Sequence, residues 1–242
     1  MTITSVDDAV RAAAPRPVPT DRQDAKKNYA ERLSRHLSTA IANNLRPDFP
    51  GITPSEDGAH QEARARSAKG FKKLDVGYAT LELGLGLGVS VKTVTLPDPK
   101  AGRYTKNYSR IDNELRAEST DYHKRQPYSV LVAALFLPWS AADDAIGTGS
   151  DAAVSSFAAA VRYFRPRAGR AGPSDDVEKF ERMFICLYDD SAQDEARFFD
   201  VDDPPRRSKR PAVEETLSFS EFIASIRAAY DARNSPPFSF KD

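Results

Sequence analysis

The stretch Lys72-Lys73-Leu74-Asp75-Val76-Gly77-Tyr78, followed by Val89-Ser90-Val91-Lys92-Thr93, decides how this chain is read. Residues 74–78 are expected to form one apolar strand, and residues 88–96, with apolar Val89, Val91 and Val94, a second. Asp75 on the first and Lys92 on the next are expected to meet at a sheet edge. Between them, Leu83-Gly84-Leu85-Gly86-Leu87-Gly88 alternates leucine with glycine. It lacks the spacing and the strand–turn–helix setting of a dinucleotide-binding fingerprint. The favoured reading is a hairpin arm or bulged strand with backbone passing close by; a role against nucleic-acid backbone is the alternative.

Working outward, the downstream pattern is an α/β alternation. Residues 110–124 are helical in pattern, with Ile111, Leu115 and Tyr122 on the less polar side. Residues 128–137 are apolar throughout and read as a central strand. An alanine-rich helix is expected over 150–164, strands over 180–188 and 197–201, and a final helix over 218–234, where Ser218 and Glu221 have the form of a capping box. Upstream, Tyr29, Leu33, Leu37, Ile41 and Leu45 recur at helical spacing, Thr20 with Gln23 resembles a second capping box, and Pro47, Pro50 and Pro54 end that helix. A shorter helix is expected over 60–66, stopped by Gly70. Residues 1–19, rich in alanine and proline, are expected to be a flexible N-terminal segment, and 20–242 one domain. The fold class expected is α/β, a mixed central sheet flanked by helices on both faces.

Composition narrows the function classes. The 242 residues hold 35 basic and 35 acidic side chains, so any nucleic-acid contact must come from a local basic surface rather than from net charge. Basic runs occur at 69–73, 103–110, 162–170 and 206–210, and acidic ones at 189–195 and 200–203. No apolar run approaches the roughly 20 residues of a membrane-spanning helix. The first residues lack the basic-then-apolar order of a signal peptide, which points to the cytoplasm. The single cysteine, Cys186, sits in an apolar run, reads as a small core residue and rules out an internal disulfide.

An acid and a lysine on neighbouring strands can hold a divalent metal and set a water beside it, which points to phosphodiester hydrolysis. The residues Asp75, then fourteen positions, then Ser90-Val91-Lys92, resemble the PD-(D/E)XK nuclease superfamily, the fold of many restriction endonucleases. The likeness covers roughly residues 58–138. Leu74 stands where the family has proline, and Ser90 where it has Glu or Asp. Some restriction enzymes of this superfamily also read Ser-Val-Lys and recruit a carboxylate from the following helix. The resemblance therefore implies Asp75 and Glu114 as metal ligands, joined by the Val91 carbonyl, with Glu118 or Asp112 behind Glu114. Lys92 would position or activate the water. Glu62, on the preceding helix, would bind a second ion or orient Lys92, and Glu82 is a further option if the arm folds back. The implied cofactor is Mg2+, with Mn2+ able to substitute.

The run Arg103-Tyr104-Thr105-Lys106-Asn107-Tyr108-Ser109-Arg110 alternates cations with aromatic and hydroxyl groups, as phosphate contact and base stacking require. Arg103, Tyr104, Lys106, Asn107 and Arg110 are the candidate DNA contacts. The resemblance implies a Mg-dependent endodeoxyribonuclease acting on DNA in bacterial restriction or antiphage defence, as a homodimer. Two alternatives stand beside it: a catalytically silent nuclease fold serving as a binding or assembly module, and an unrelated α/β protein binding a nucleotide or small ligand through the glycine-rich arm. In the competing local reading Asp75 caps a turn, Lys92 is a surface lysine and Glu114 pairs with Arg110 one turn earlier.

Overall fold

In the structure, a computed structural model, the described residues are 2–56, 63–67, 70–81, 84–145, 154–192, 195–203 and 210–234. In chain order the elements are α1 Val6–Ala13, α2 Gln23–Leu45, β1 Ala63–Ser67, β2 Gly70–Leu74, β3 Val76–Thr80, β4 Gly84–Thr93, α3 Tyr108–His123, β5 Val130–Pro138, α4 Ser140–Asp143, α5 Ser156–Phe164, β6 Arg182–Tyr188, β7 Arg197–Asp200 and α6 Phe219–Arg233.

β3 to β7 form one five-stranded sheet in sequence order. The outer pairs β3–β4 and β6–β7 are antiparallel, while β4–β5 and β5–β6 are parallel. Each parallel pair is joined through a helical connection, as parallel neighbours require. The strand expected to be central is β5, buried along its whole length. Its residues divide with period two: Val130, Val132, Ala134 and Phe136 pack with α1, α2 and α6, while Leu131, Ala133, Leu135 and Leu137 pack with α3 and α5. A strand covered on both faces has no polar side, which is why this segment reads as a continuous apolar run. The chain is thus an α/β fold, a mixed sheet with helices on both faces. Among the described residues, no helix is long and apolar enough to cross a membrane.

Four expectations are corrected. Residues 2–19 contain α1, whose Ser5 and Asp8 form a capping box and whose Val6, Ala9, Val10 and Ala13 are buried against α2. Asn43 and Asn44 of α2 donate to the carbonyls of Ile3 and Thr4, fastening the segment further. The Thr20–Gln23 capping box does not form: α2 starts at Gln23 behind Arg22, without a side-chain cap. Residues 63–67 are a strand rather than a helix, paired antiparallel with β2, and Gly70 opens that partner instead of stopping a helix. The Ala-Arg-Ala-Arg pattern also alternates with period two, so strand pairing accommodates it. Finally, residues 74–78 are not one strand, because the chain bends at Asp75 between β2 and β3.

The leucine–glycine segment belongs to β4, as the bulged-strand reading expects. Tyr78 pairs with Leu87 and Ala79 with Leu85, leaving Gly86 as the extra residue of a bulge. The extra residue moves Leu85 to the α3 face and leaves Leu87, Val89 and Val91 facing α2. Gly84 is at φ +70, with the Gln126 side chain where a Cβ would be. Gly88 lies under Leu131 and Leu74, and its hypothetical Cβ would be 2.8 Å from the Leu131 side chain.

Candidate functional site

The site is built by the β3–β4 hairpin and the helix that crosses over it. Pairing of Val76 with Val89 places the Asp75 bend beside Ser90 and Val91. There the Asp75 Oδ2 accepts the Val91 N–H at 2.8 Å. Because Val89 and Val91 face α2, their neighbours Ser90 and Lys92 face α3. α3 is fixed over the sheet by Ile111, Leu115 and Tyr122, all buried. Arg110, Glu114 and Glu118, spaced by four, then share one flank of the helix.

Glu118 is the residue that closes this arrangement. Its Oε2 accepts the Ser90 hydroxyl at 2.6 Å and its Oε1 accepts the Lys92 ammonium at 2.6 Å. Glu114 lies further out: its Oε2 is 3.7 Å from the Lys92 Nζ, and its Oε1 is held by Arg110 at 2.6 Å. The Arg110–Glu114 pair of the competing local reading therefore exists, alongside the contact with Lys92. Burial pushes the Lys92 ammonium down, but Glu118 above all, then Asp75 and Glu114, outweigh it and hold its pKa above the usual lysine value. Lys92 is a cation gripped by carboxylates, with 16% of its side chain exposed.

Asp112 is turned to another partner, Arg167, whose Nε donates at 2.7 Å, and it takes no part in the cluster. Glu62 and Glu82 lie outside the described residues.

The expected nucleic-acid contacts divide. Tyr104 is 5% exposed, its N–H donates to the Ser156 hydroxyl at 3.0 Å and its own hydroxyl is 2.7 Å from that of Ser140. It therefore presents no ring face on which a base can stack, which corrects that expectation. Arg103 is drawn to Asp144 at 3.3 Å and to Ser156. Tyr108, one turn after Tyr104, is buried too and donates to the Ser156 carbonyl at 2.9 Å. The aromatic half of the run is thus an anchor onto α5. Lys106 and Arg110 face outward, 68% and 64% exposed, and Asn107 is half-buried. The glycines of the arm are filled by the chain's own side chains. Tyr78 and Tyr230 lie 3.4 Å from the point where a Gly86 Cβ would sit, so the arm has no open cradle there for a phosphate.

Among the described residues, no group of three or more His, Cys, Asp or Glu is placed to hold a metal ion. Magnesium asks for less: it is commonly bound through one or two carboxylates, with waters and substrate oxygens completing its shell. Asp75 and Glu118 flank Lys92 with oxygen donors of that chemistry, so the residue set fits magnesium. In the present arrangement these carboxylates are satisfied by the Val91 N–H, Ser90 and Lys92.

Sequence reasoning ranked Glu118 behind Glu114 and passed over Lys26 and Lys27 of α2, which line a cleft next to the site. A signal for the lysines was available, since cations near a helix N-terminus oppose its dipole. Compared with family models, curated proteins and solved structures, the chain matches none.

Proposed function

We propose that this chain is a metal-dependent DNA endonuclease of the PD-(D/E)XK kind, in which Glu118 supplies the carboxylate that Ser90 lacks. The observation that carries the reading is the double grip on Glu118 by the Ser90 hydroxyl and the Lys92 ammonium. It brings a carboxylate from α3 to the motif position on β4, next to Asp75. The hairpin, the crossover helix and the parallel central strand are consistent with a restriction endonuclease-like core.

Asp75 and Glu118 would hold magnesium, with Glu114 near the entrance. When bound, the ion supplies Lewis-acid stabilisation of the phosphate and a more acidic water. Lys92, held as an ammonium, presents hydrogen-bond donors to the phosphate under attack and offsets the charge that develops there. Arg110 fixes Glu114 while leaving its own guanidinium at the surface, within reach of a backbone phosphate. Work on DNA in restriction or antiphage defence, in the cytoplasm and as a homodimer, belongs to the same proposal.

The test is cleavage of plasmid and phage DNA, single- and double-stranded, with magnesium or manganese. Wild type is compared with Asp75→Ala, Lys92→Ala, Glu118→Gln and Glu114→Gln. Loss of cutting in the first three, with activity retained in Glu114→Gln, is the expected result. Cutting that survives Asp75→Ala or Lys92→Ala would sink the assignment. A second reading, a silent nuclease fold that binds nucleic acid, is favoured by Ser90 standing in the acid's place; metal-independent binding without cutting would establish it.

A further inference from the structure

Beyond the carboxyl end of β4 lies a cleft of about 420 Å³, floored by residues 93–96. Its walls are the start of α2 on one side and the segment 97–110 on the other. Five cations line it, Lys26, Lys27, Arg103, Lys106 and Arg110, against one carboxylate, Asp98.

Three of the cations, Lys26, Lys27 and Lys106, present ammonium groups that can be redirected, whereas Arg103 is tied to Asp144 and Ser156. Lys106 pairs with Asp98 at 2.6 Å and Lys27 with Glu31 at 3.6 Å, with the lysines 68% and 72% exposed. Lys26 donates to the Pro19 carbonyl at 2.6 Å. A pair exposed on both sides, such as Lys27–Glu31, contributes at most ~1 kcal/mol, so a phosphate can replace it at small cost. Lys26 and Lys27 also stand in the opening turns of α2, where the helix dipole disfavours positive charge. An anionic occupant would reverse that penalty.

The cleft adjoins the Asp75–Lys92–Glu118 site through neighbouring residues. Thr93 lines it and directly follows Lys92, and Arg110 lines it while holding Glu114, 3.7 Å from the Lys92 ammonium. Its size restricts the occupant. A volume of about 420 Å³ falls within the range of small-ligand pockets, roughly 300–1,000 Å³. It accommodates a nucleotide or two of one strand. A B-form duplex, whose major groove alone is about 12 Å wide, would rest on the rim.

We propose that this cleft seats the phosphate backbone of a single nucleic-acid strand, with Lys26 and Lys27 forming its second wall, and delivers that strand to Lys92. The inference rests on the nuclease reading for what happens at Lys92, and it makes single-stranded segments, overhangs and displaced strands, the preferred substrate over intact duplex.

Fluorescence anisotropy of the full chain with a labelled oligothymidylate and a length-matched duplex, without divalent metal and over a salt series, tests it. The single strand is expected to bind at least about tenfold more tightly than the duplex. Lys26→Glu/Lys27→Glu should weaken that binding by about tenfold or more and flatten the log–log salt slope by about 1.4, two contacts at ~0.7 each. Arg35→Glu, an exposed charge reversal on α2 away from the cleft, should leave affinity within about twofold and shows the effect of charge reversal outside the cleft. Circular dichroism confirms that each variant is folded. Wild-type affinity in the double variant, an equal loss in Arg35→Glu, or a duplex bound as tightly as the strand would each overturn the proposal. Asp75→Ala separates the two readings. A wild type that binds through Lys26 and Lys27 but never cuts refutes catalysis and leaves the cleft standing. Cutting that Asp75→Ala abolishes and Lys26→Glu/Lys27→Glu spares refutes the cleft and leaves catalysis standing.

Discussion

Glu118→Gln removes one charge from the centre of the site while keeping the shape of the side chain. Lys92 and Glu118 are 16% and 22% exposed, so the contact is mostly shielded from water. A hydrogen bond to a charged group contributes ~1.5–3 kcal/mol, and breaking a fully buried pair costs ~3–5 kcal/mol. The remaining exposure lowers the second figure, and Asp75 and Glu114 continue to balance the ammonium after the substitution. The expected loss is therefore about 2 kcal/mol. Glu114 is 40% exposed and tied to a surface arginine, so Glu114→Gln should cost only about 0.5 kcal/mol. Urea unfolding at neutral pH measures both. With an m-value of roughly 3 kcal/mol per molar, Glu118→Gln should lower the midpoint by roughly 0.7 M and leave m unchanged. Neutral pH is the right condition because a raised lysine pKa contributes stability that is fully present below the unfolded value and is lost as pH rises through the folded one. A double-mutant cycle with Lys92→Met should return a coupling of about 1.5 kcal/mol. A coupling within about 0.3 kcal/mol of zero, or a larger loss from Glu114→Gln than from Glu118→Gln, would refute the ranking of the two glutamates.

Away from the site, Glu181 receives Arg170 and Arg233 at 2.9 and 2.8 Å and the Leu131 N–H at 2.7 Å, with all three side chains nearly fully buried. Glu181→Gln should cost ~3–5 kcal/mol and lower the thermal midpoint, read by calorimetry, by on the order of 10 °C. Burial pushes the Glu181 carboxyl up, but His123, the Leu131 N–H and Arg170 hold it below the usual glutamate value. Its contribution is present above the unfolded pKa and lost as pH falls through the lowered folded one, so the acid limb of the stability curve should flatten in Glu181→Gln; an unchanged limb would contradict this. Gly88→Ala would place a Cβ 2.8 Å from Leu131 and 3.1 Å from Leu74, the residue before Asp75. Overpacking of about 1–3 kcal/mol should appear as a lower urea midpoint, and a neutral result would show that both leucines turn aside freely.

Much of the fold was legible because it is written in local periodicity. Both faces of β5 are apolar, so its run is unbroken, and the α2 stripe from Tyr29 to Leu45 is buried at each expected position. The proximity of Asp75 to Ser90 and Lys92 was legible for a similar reason. The two strands are joined by a short connection, and antiparallel pairing across it sets their register. Residues 63–67 were not legible, since alternating alanine and arginine suits a helix or a strand and only pairing with β2 selects between them. Nor was the inward turn of Tyr104, which depends on Ser156 and Ser140, about 36 to 52 positions away along the chain.

The sequence by itself determined which residue types could form the site: one acid, one lysine, and a following helix with glutamates on a single flank. Only the tertiary structure decided between Glu114 and Glu118. The two are one turn apart, about 6 Å along the helix axis, and equivalent in any helical pattern. Which of them stands over Lys92 depends on where α3 comes to rest along the sheet, and the packing of Ile111, Leu115 and Tyr122 sets that position.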